Sequence, residues 1–352
     1  MNLYIIPVVL SALYYYYYHK NTTPVMSAAT TTITKKFIQN PNPFPTYFFS
    51  HGGPTFMYEE DQMGDKGAWN MVKRIGTNIK KNWRPDYIIV VSAHWQSSGS
   101  NMIEINYPQK TRENPLVYDF YGFPDYMYKE EFHTLNNLFV VNEIKLELEK
   151  NGFNSTITNR GLDHGVWVPF KVAFSDYTTQ SKVQPEEKGL DLPDTAVIQV
   201  SLTGNDRDFD KHFKLGQALS KFKNELIWDE AKQRYLSGLV VCSGMSVHNL
   251  RDLGVSFRYP KGMSYVKPFN QLLTQTVETK RGSDLLDAFN QMQSNPLLRQ
   301  AHPTLEHFLP IVVAGGIASQ ANDNIKELYN SALFSLGWGI YQVGEYNKPA
   351  TL

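Results

Sequence analysis

Apolar and polar residues alternate with two different periods from Tyr47 onward. The runs Tyr47-Phe48-Phe49 and 87–92 are continuously apolar and have the length of buried strands. Between them, residues 68–81 have the spacing of an amphipathic helix, whose apolar stripe contains Trp69, Val72, Ile75 and Ile79. A strand, a helix and a second strand in this order predict a parallel pair. The carboxyl ends of both strands would then lie at the same edge of a sheet, where α/β proteins bind ligands.

The same alternation continues downstream. Further strands are predicted at 196–201 and 239–243, and further helices at 211–221 and 305–314. Residues 175–194 are rich in Ser, Thr, Gln, Pro, Glu and Asp, which predicts a surface insertion. The predicted fold is therefore α/β, with a single domain over residues 46–352. Its mostly parallel central sheet is flanked by helices, and its ligand site lies at the carboxyl ends of the strands.

The first 45 residues form a different kind of segment. Residues 3–13 are mostly apolar, residues 14–18 are all tyrosine, and no acidic residue precedes Glu59. A short membrane anchor through residues 1–18, a secretory signal and a mitochondrial targeting segment are all compatible with this pattern, as is a disordered extension. Residues 19–45 are predicted to be a linker. The domain over residues 46–352 is expected to be cytoplasmic.

Composition narrows the range of functions. The chain has 34 basic and 34 acidic residues, so charge gives no indication of nucleic-acid binding. Its one cysteine, Cys242, excludes an internal disulfide framework and favours a reducing compartment. A thiolate zinc site is excluded for the same reason.

Histidines occur in five motif-like settings that are widely separated in the sequence. Gly, Ser or Pro residues flank these histidines, as is typical of loops. Imidazoles on separate loops can hold a catalytic metal ion and leave positions open for substrate. The motifs contain His51, His94, His164, His248, and the pair His302 and His307. The pattern predicts a metalloenzyme, and the other three histidines, His19, His133 and His212, are predicted to lie on the surface.

Six motifs in order make the chain resemble a known family. These are His51-Gly52-Gly53-Pro54, Val90 to Trp95, Asp119 to Pro124, Gly161 to Trp167, His248-Asn249-Leu250 and Pro303 to Pro310. Over residues 47–345 the sequence resembles the LigB-type class III extradiol dioxygenases, in particular the branch of 4,5-DOPA dioxygenase extradiol-like proteins. The last motif differs from the family pattern, which commonly has Asn in place of His302 and Pro in place of Leu305.

The resemblance implies a nonheme iron(II) enzyme that cleaves the ring of a catechol with O2, gives a muconic semialdehyde and uses no organic cofactor. In the wider class, the histidines matching His51 and His94 bind the metal with a carboxylate. The histidine matching His248 acts as a base there, and the one matching His164 lies beside the metal without binding it. In the DOPA-type branch, positions matching His51, His94, His248 and His307 are treated as ligands, often with zinc. Iron(II) is expected for turnover, and zinc is an alternative resident metal.

Coordination chemistry favours three protein ligands over four. Three ligands leave three positions on an octahedral ion, enough for a bidentate catecholate and O2. Glu306 and His307 are adjacent, about 100° apart on a helix, so both are not expected to bind one ion. A regular helix would place His307 opposite the apolar stripe, although Pro310 is incompatible with a regular helix through the preceding turn. The resemblance favours His307 as the ligand, with Glu306 as the alternative.

The remaining roles follow from the same chemistry. His164 and His248 are the imidazoles expected to transfer protons. Asp163 is expected either to orient His164 or to cap a helix. The residues proposed to line a flat aromatic pocket are Tyr121, Phe123 and Trp95.

Two other function classes use the same residues. A zinc-dependent hydrolase would activate water with the same imidazoles. A binding protein could keep the fold without turnover. Metal content and O2 consumption with catechols separate these alternatives from a dioxygenase.

Overall fold

Short apolar segments form the sheets, and amphipathic or fully apolar helices cover them. The computed structural model describes residues 35–178 and 189–346. Within these ranges the strands are β1 (Phe37–Gln39), β2 (Thr46–Ser50), β3 (Tyr87–Gln96), β4 (Met102–Asn106), β5 (Asn154–Thr158), β6 (Ala196–Leu202), β7 (Glu225–Asp229), β8 (Arg234–Leu236), β9 (Gly238–Gly244), β10 (Val247–His248), β11 (Ile325–Tyr329), β12 (Ala332–Leu333), β13 (Leu336–Gly337) and β14 (Ile340–Val343).

The helices of these ranges alternate with the strands. They are α1 (Lys66–Thr77), α2 (Leu138–Lys150), α3 (His164–Phe174), α4 (Phe209–Leu219), α5 (Lys221–Asn224), α6 (Leu253–Ser256), α7 (Val266–Thr279), α8 (Gly282–Met292), α9 (Pro296–Ala301) and α10 (Leu309–Ala321). Short 3-10 helices cover Pro54–Met57 and Asp125–Lys129, and a π-helical turn at Asn78–Trp83 extends α1.

Among the described residues, the main sheet has eight strands in the order β11-β14-β2-β9-β3-β6-β4-β5. Its centre is parallel: β2 pairs with β9, β9 with β3 and β3 with β6, with Val90 opposite Val241. Antiparallel pairing appears where β14 joins β2, β11 joins β14, and β4 joins β6. Two three-stranded sheets, β1-β7-β8 and β10-β13-β12, complete the set. The predicted α/β fold with a mostly parallel central sheet is confirmed.

Successive residues of the central strands point into different hydrophobic clusters. Ile88 and Val90 of β3 belong to the cluster that contains α1 and α3, and Ile89 and Val91 belong to the cluster that contains α4 and α10. All four side chains have no solvent exposure. Helices therefore cover both faces of the sheet, which explains why the strands are continuously apolar instead of alternating.

Glycines let α4 and α10 pack closely. A Cβ atom on Gly216 would clash with the carbonyl oxygen of Val313, and one on Gly316 would clash with that of Phe213. Any larger residue at either position would push the two helices apart. This packing holds α10, and the turn that precedes it, against the sheet.

Two predictions, one about strand order and one about the bounds of a helix, were wrong. β2 and β3 are parallel, as predicted, but β9 lies between them instead of the two strands being direct neighbours. The helix predicted at 305–314 begins only at Leu309 and continues to Ala321, and Leu309 to Ala318 are buried on all sides. Pro310 stands in the first turn of this helix, where its missing N–H group costs nothing.

The predicted boundaries of the polar segments also differ from the structure. β1 lies inside the predicted linker 19–45 and pairs antiparallel with β7, with Phe37 opposite Ile227. At the end of the predicted surface insertion, Asp191 and Leu192 are buried. No helix within residues 35–178 and 189–346 is long and apolar enough to cross a membrane. The predicted anchor or targeting segment, residues 1–18, lies outside the described residues.

Candidate metal centre

His51, His94 and His307 meet at the carboxyl edge of the central strands. His51 directly follows β2, and its backbone N–H donates to the Gly244 carbonyl at the end of β9 (3.0 Å). His94 lies near the end of β3. His307 comes from the turn before α10, where its carbonyl accepts a hydrogen bond from the N–H of Met245 (3.0 Å). The site therefore lies where the order of strands and helices predicted it.

The Nε2 atom of His94 is in contact with those of the other two imidazoles. His94 Nε2 lies 3.1 Å from His51 Nε2 and 3.2 Å from His307 Nε2. An ion that binds imidazole at about 2.1 Å separates two ligand nitrogens by about 3.0 Å at a right angle and about 3.4 Å at a tetrahedral angle. Both separations fall between these values, so each pair is spaced as two ligands of a single metal ion are.

The other ring nitrogen of each imidazole faces an oxygen atom. These oxygens are Ser243 Oγ for His51 (3.0 Å), Glu306 Oε1 for His307 (3.0 Å) and Asp119 Oδ2 for His94 (3.5 Å). Ser243 donates its own hydroxyl proton to the carbonyl of Gly165, so it accepts from His51. These partners place the ring proton on Nδ1 and leave the Nε2 lone pair free for a metal ion.

Burial keeps the three imidazoles neutral. Desolvation lowers the pKa of His51, His94 and His307 well below the ordinary value, and the charges of neighbouring imidazoles lower it further. Neutral imidazole is the form that binds metal. The Nε2 lone pairs of His51 and His307 both face His94, and a proton on His94 Nε2 could satisfy only one of them. A cation would satisfy all three.

His164 is the first residue of α3 and pairs with Asp119. The Asp119 Oδ1 atom lies 3.0 Å from His164 Nδ1 and accepts the backbone N–H of His164 at 2.9 Å. Burial raises the pKa of Asp119, but the hydrogen bonds and charge of His164, with the charge of His94, outweigh it and lower this pKa to about 2. The ionised carboxylate therefore orients His164 and leaves its Nε2 atom free.

Asp163 stands at the N-cap position of α3, which is one of its two predicted places, but its side chain takes neither predicted role. Its side chain makes no capping hydrogen bond to α3, and the partner of the His164 ring is Asp119. The buried Asp163 carboxylate accepts from Ser92 Oγ (2.8 Å), Arg160 Nη1 (2.9 Å) and Gln199 Nε2. Since Arg160 also donates to the carbonyl of His94 (3.1 Å), this network supports the backbone at His94.

His248 lies in β10 and stacks on His307. The ring centroids are 3.5 Å apart, and the ring planes are inclined by 15°. The lone pair of an imidazole nitrogen lies in the ring plane, so two stacked, nearly parallel rings cannot both point at one ion. Burial, followed by the charges of His302 and His164, lowers the pKa of His248 to about 3. His248 is thus a neutral imidazole beside the Nε2 cluster.

A cavity of about 610 Å³ opens onto this cluster. Its polar lining includes Asp119, Glu306 and the imidazoles of His94, His164, His248 and His307. Tyr121 and Phe123, two of the aromatic residues proposed from the sequence, also line it, and Tyr121 is 88% exposed. The third, Trp95, is buried and is not among the residues that line the cavity. Its indole N–H donates to Glu104 (3.0 Å).

The structure also corrects the interpretation of the other histidines. His212 was predicted to lie on the surface but is fully buried in α4. His133 is half-buried and pairs with Glu113. His302 is fully buried and lies 2.9 Å from the carbonyl of Ser246. The predicted surface residue His19 lies outside the described residues.

Sequence reasoning assigned no role to three residues that support the site: Asp119, Arg160 and Ser243. Asp119 stands in a segment that was singled out as a motif, and Ser243 ends the strand predicted at 239–243, so a signal was present for both. Arg160 immediately precedes the Gly161 motif, and its sequence position gave no indication of its contact with His94.

The fold and the cluster define an α/β protein whose site fits one metal ion. Comparison with known proteins is consistent with this class. Residues 45–341 match the sequence profile of the family described as the catalytic LigB subunit of aromatic ring-opening dioxygenase. The chain therefore belongs to the LigB family of extradiol aromatic ring-opening dioxygenases.

Individual relatives place the chain within that family. A 4,5-DOPA dioxygenase extradiol-like protein of Schizosaccharomyces pombe (strain 972 / ATCC 24843) is 31% identical over 306 residues, which cover 83% of this chain and 92% of the relative. A 4,5-DOPA dioxygenase extradiol of Beta vulgaris is 29% identical over 313 residues, covering 87% and 97%. The resemblance to the DOPA dioxygenase extradiol-like branch is thereby confirmed.

A solved structure shares the fold. The crystal structure of an uncharacterized protein from Escherichia coli K12 aligns with a TM-score of 0.59 at 18% identity, over 85% of this chain and 99% of that protein.

Proposed function

We propose that this protein cleaves the aromatic ring of a catechol by the extradiol route, with iron(II) as the working metal and O2 as the second substrate. The observation that carries the proposal is the contact of His94 Nε2 with His51 Nε2 and His307 Nε2, beside a cavity that is also lined by His164 and Asp119. Both oxygen atoms enter the product, a muconic semialdehyde, as the ring carbon–carbon bond beside the diol breaks.

His51, His94 and His307 would hold the metal. This assignment satisfies the requirement for three protein ligands, and it leaves positions open for catechol and O2. Glu306, the alternative ligand, accepts hydrogen bonds from His307 Nδ1 (3.0 Å) and from Thr304 Oγ1 (2.9 Å). Glu306 would therefore affect metal binding indirectly, by orienting His307. The stacking of His248 on His307 argues against His248 as a fourth ligand in this arrangement.

When bound, iron(II) would supply the redox chemistry that joins a catechol to O2, which zinc cannot supply. The protein residues manage the protons. The His164 Nδ1 proton is held by the ionised Asp119, so the Nε2 atom of His164 can accept a proton from a catechol hydroxyl. The carboxylate then stabilises the imidazolium that forms, as a carboxylate beside a catalytic histidine does in hydrolases.

His248 would serve a different step. It lines the cavity, and its burial lowers its pKa to about 3, which makes it a weak proton acceptor. A neutral imidazole in this position can donate a hydrogen bond to a substrate oxygen as negative charge develops there. We assign His164 the role of base and His248 that of hydrogen-bond donor or acid.

O2 consumption by metal-reconstituted protein tests the proposal. The protein is purified without oxygen, stripped of metal and loaded with either iron(II) or zinc. L-DOPA and unsubstituted catechol are then added in an oxygen electrode. We expect O2 uptake with the iron form alone, and a yellow product heavier than the substrate by two oxygen atoms. An iron-loaded protein that consumes no O2 with either catechol would overturn the proposal.

A further inference from the structure

We propose that Lys171, through a buried ion pair with Glu130, positions the His164–Asp119 pair and the cavity wall beside it. Neither Lys171 nor Glu130 is among the residues that line the cavity, and both stand outside the six sequence motifs. They would act through the chain segment that they hold. The inference rests on the proposed function, in which His164 accepts a proton from the catechol.

The segment 117–133 forms part of the cavity wall but has little regular structure of its own. It contributes four residues to the lining: Asp119, Phe120, Tyr121 and Phe123. All residues of this segment are described, and its one regular element is the short 3-10 helix Asp125–Lys129. Because no strand ladder holds this backbone, the position of Asp119 depends on contacts with other elements.

One side of α3 provides such contacts. His164, Trp167 and Lys171 stand at positions i, i+3 and i+7 of this helix, so their side chains lie on the same face. His164 pairs with Asp119, and the indole N–H of Trp167 donates to the carbonyl of Val117 (3.1 Å). These two residues hold the beginning of the segment 117–133, and Lys171 holds its far end.

Lys171 and Glu130 form an ion pair in the interior. Lys171 Nζ lies 3.1 Å from Glu130 Oε2, and the two side chains are 1% and 0% exposed. The ammonium group also donates to the carbonyl of Glu131. Glu130 Oε1 accepts from the hydroxyl of Tyr58 (2.9 Å), and the Glu130 carbonyl accepts from the hydroxyl of Tyr118 (2.6 Å). Hydrogen bonds therefore fix the end of the segment from several directions.

A buried ion pair is better suited to fix a geometry than to add stability. The cost of removing two charges from water offsets much of their attraction, and apolar side chains of similar volume often stabilise a fold as well or better. Charge-assisted hydrogen bonds are short and directional, and a fully satisfied buried network specifies one arrangement. The pair of Lys171 and Glu130 thus has the properties of a positioning device for the segment that carries Asp119.

A double variant tests the inference. Lys171→Met alone would remove the cation beside a buried carboxylate and destabilise the fold, so Glu130→Leu accompanies it. We expect the iron-loaded double variant to keep its iron content and to lose about 10- to 10²-fold in kcat, the effect of a misplacement of about 1 Å. Unchanged kcat would overturn the inference. A double variant that does not fold would also overturn it, because the pair would then serve folding.

The ion pair between Lys223 and Asp323 provides the matched control. The Lys223 side chain is 2% exposed, and neither residue lines the cavity. Replacing both, by Lys223→Met and Asp323→Leu, removes a comparable pair without touching the segment 117–133. We expect this control to keep its kcat. An equal loss of kcat in both double variants would indicate a general effect of lost ion pairs and would contradict the positioning role.

A spectroscopic measurement separates this inference from the proposed function. Heteronuclear NMR of the histidine rings in the zinc-loaded protein reports which nitrogen of His164 carries the proton, and His164→Phe identifies the signals. We expect the proton on Nδ1 in the unaltered protein, because the hydrogen bond to Asp119 selects this tautomer. The Lys171→Met/Glu130→Leu variant should show a mixture of tautomers.

Such a change of tautomer supports the inference even if the iron-loaded protein consumes no O2, in which case only the proposed function fails. A His164 Nδ1–H signal that is the same in the unaltered protein and in the double variant contradicts the positioning role of Lys171.

Discussion

The imidazole cluster and His212 are two histidine regions in the interior of the same molecule. They differ in the partners of their ring nitrogens. In α4, His212 Nδ1 lies 2.8 Å from the carbonyl of Asp208, and Nε2 lies 3.2 Å from Thr203 Oγ1. In the cluster, each Nδ1 atom faces an oxygen, but the Nε2 atoms face one another. Burial lowers the pKa of His212 to about 4 and lowers those of the cluster in the same direction.

This difference shows which feature distinguishes a metal site from a structural histidine. Burial and a lowered pKa are common to both regions, so neither property distinguishes a ligand from a structural histidine. His212 has protein partners on both sides of its ring, which satisfies its hydrogen-bonding capacity. The cluster leaves three nitrogen lone pairs beside a cavity, and only an additional cation would satisfy them.

The largest effect is expected from removing a ligand. His51→Ala or His94→Ala should abolish stoichiometric metal binding, because two remaining imidazoles compete poorly with water and buffer. Metal analysis after reconstitution measures the effect. His212→Leu is the matched control and should keep its metal. Full retention in either alanine variant would remove that residue from the ligand set.

Turnover should separate the proton-transfer residues from the ligands. His164→Phe and His248→Phe are expected to keep near-normal iron content and to lose about 10²- to 10⁴-fold in kcat, the range of general acid–base catalysis. Measuring iron content together with kcat distinguishes a ligand from a proton-transfer residue. If the His248 variant loses its iron, His248 is a ligand, and unchanged turnover in both variants would exclude the proton-transfer role.

The oxygens behind the imidazoles should have a smaller effect. Ser243→Ala and Glu306→Gln are each expected to weaken metal affinity by about 10- to 100-fold, since the Nδ1 partner sets the orientation and tautomer of the ligand. Competition with a chelator measures this. His307→Ala is the comparison: it should lose the metal altogether, and the reverse ranking of Glu306 and His307 would make Glu306 the ligand.

His212 should affect stability alone. His212→Leu keeps the volume but removes the hydrogen bonds of the ring with the Thr203 hydroxyl and the Asp208 carbonyl. The free energy of unfolding is expected to fall by about 1–3 kcal/mol. Urea denaturation checks this value, and metal content is expected not to change. A loss of metal would show that the two regions are coupled.

The smallest effect is expected from a truncation at the N-terminus. Deleting residues 1–34 should change the free energy of unfolding by less than about 0.5 kcal/mol. Deletion through residue 40 is the comparison, because it also removes β1 and the ion pair between Lys36 and Glu143 (2.6 Å). An equal loss of stability in both truncations would contradict a stabilising role of β1.

The local pattern of apolar and polar residues was sufficient to predict much of the fold. The continuous apolar runs predicted β3 and β9, because a strand buried on both faces needs apolar side chains on both. The strand-helix-strand order placed His51 and His94 at one edge, because the handedness of such connections leaves little choice. The position of β9 between β2 and β3 was not predictable in this way, since strand neighbours depend on pairing between distant segments.

No regular helix runs through His307, as the position of Pro310 indicated. α10 begins at Leu309, and His307 lies in the preceding turn. The orientation of His307 is set by the packing of that turn against the end of β9. There the carbonyl of His307 accepts the N–H of Met245 and lies close to Gly244. His212 was placed on the surface because its polar neighbours in sequence do not reveal that Thr203 and Asp208 enclose it.

The sequence by itself determined the α/β class, the family motifs and the histidines that deserve a role, because these depend on residue type and on spacing over short segments. The tertiary structure decided which nitrogens meet. His94 lies 43 residues from His51 and 213 residues from His307, and their Nε2 atoms nevertheless come into contact. It also decided that Asp119, not Asp163, holds His164, and that His248 stacks on His307. Contacts between distant segments arise from the packing of the whole sheet and its helices, and no local pattern encodes them.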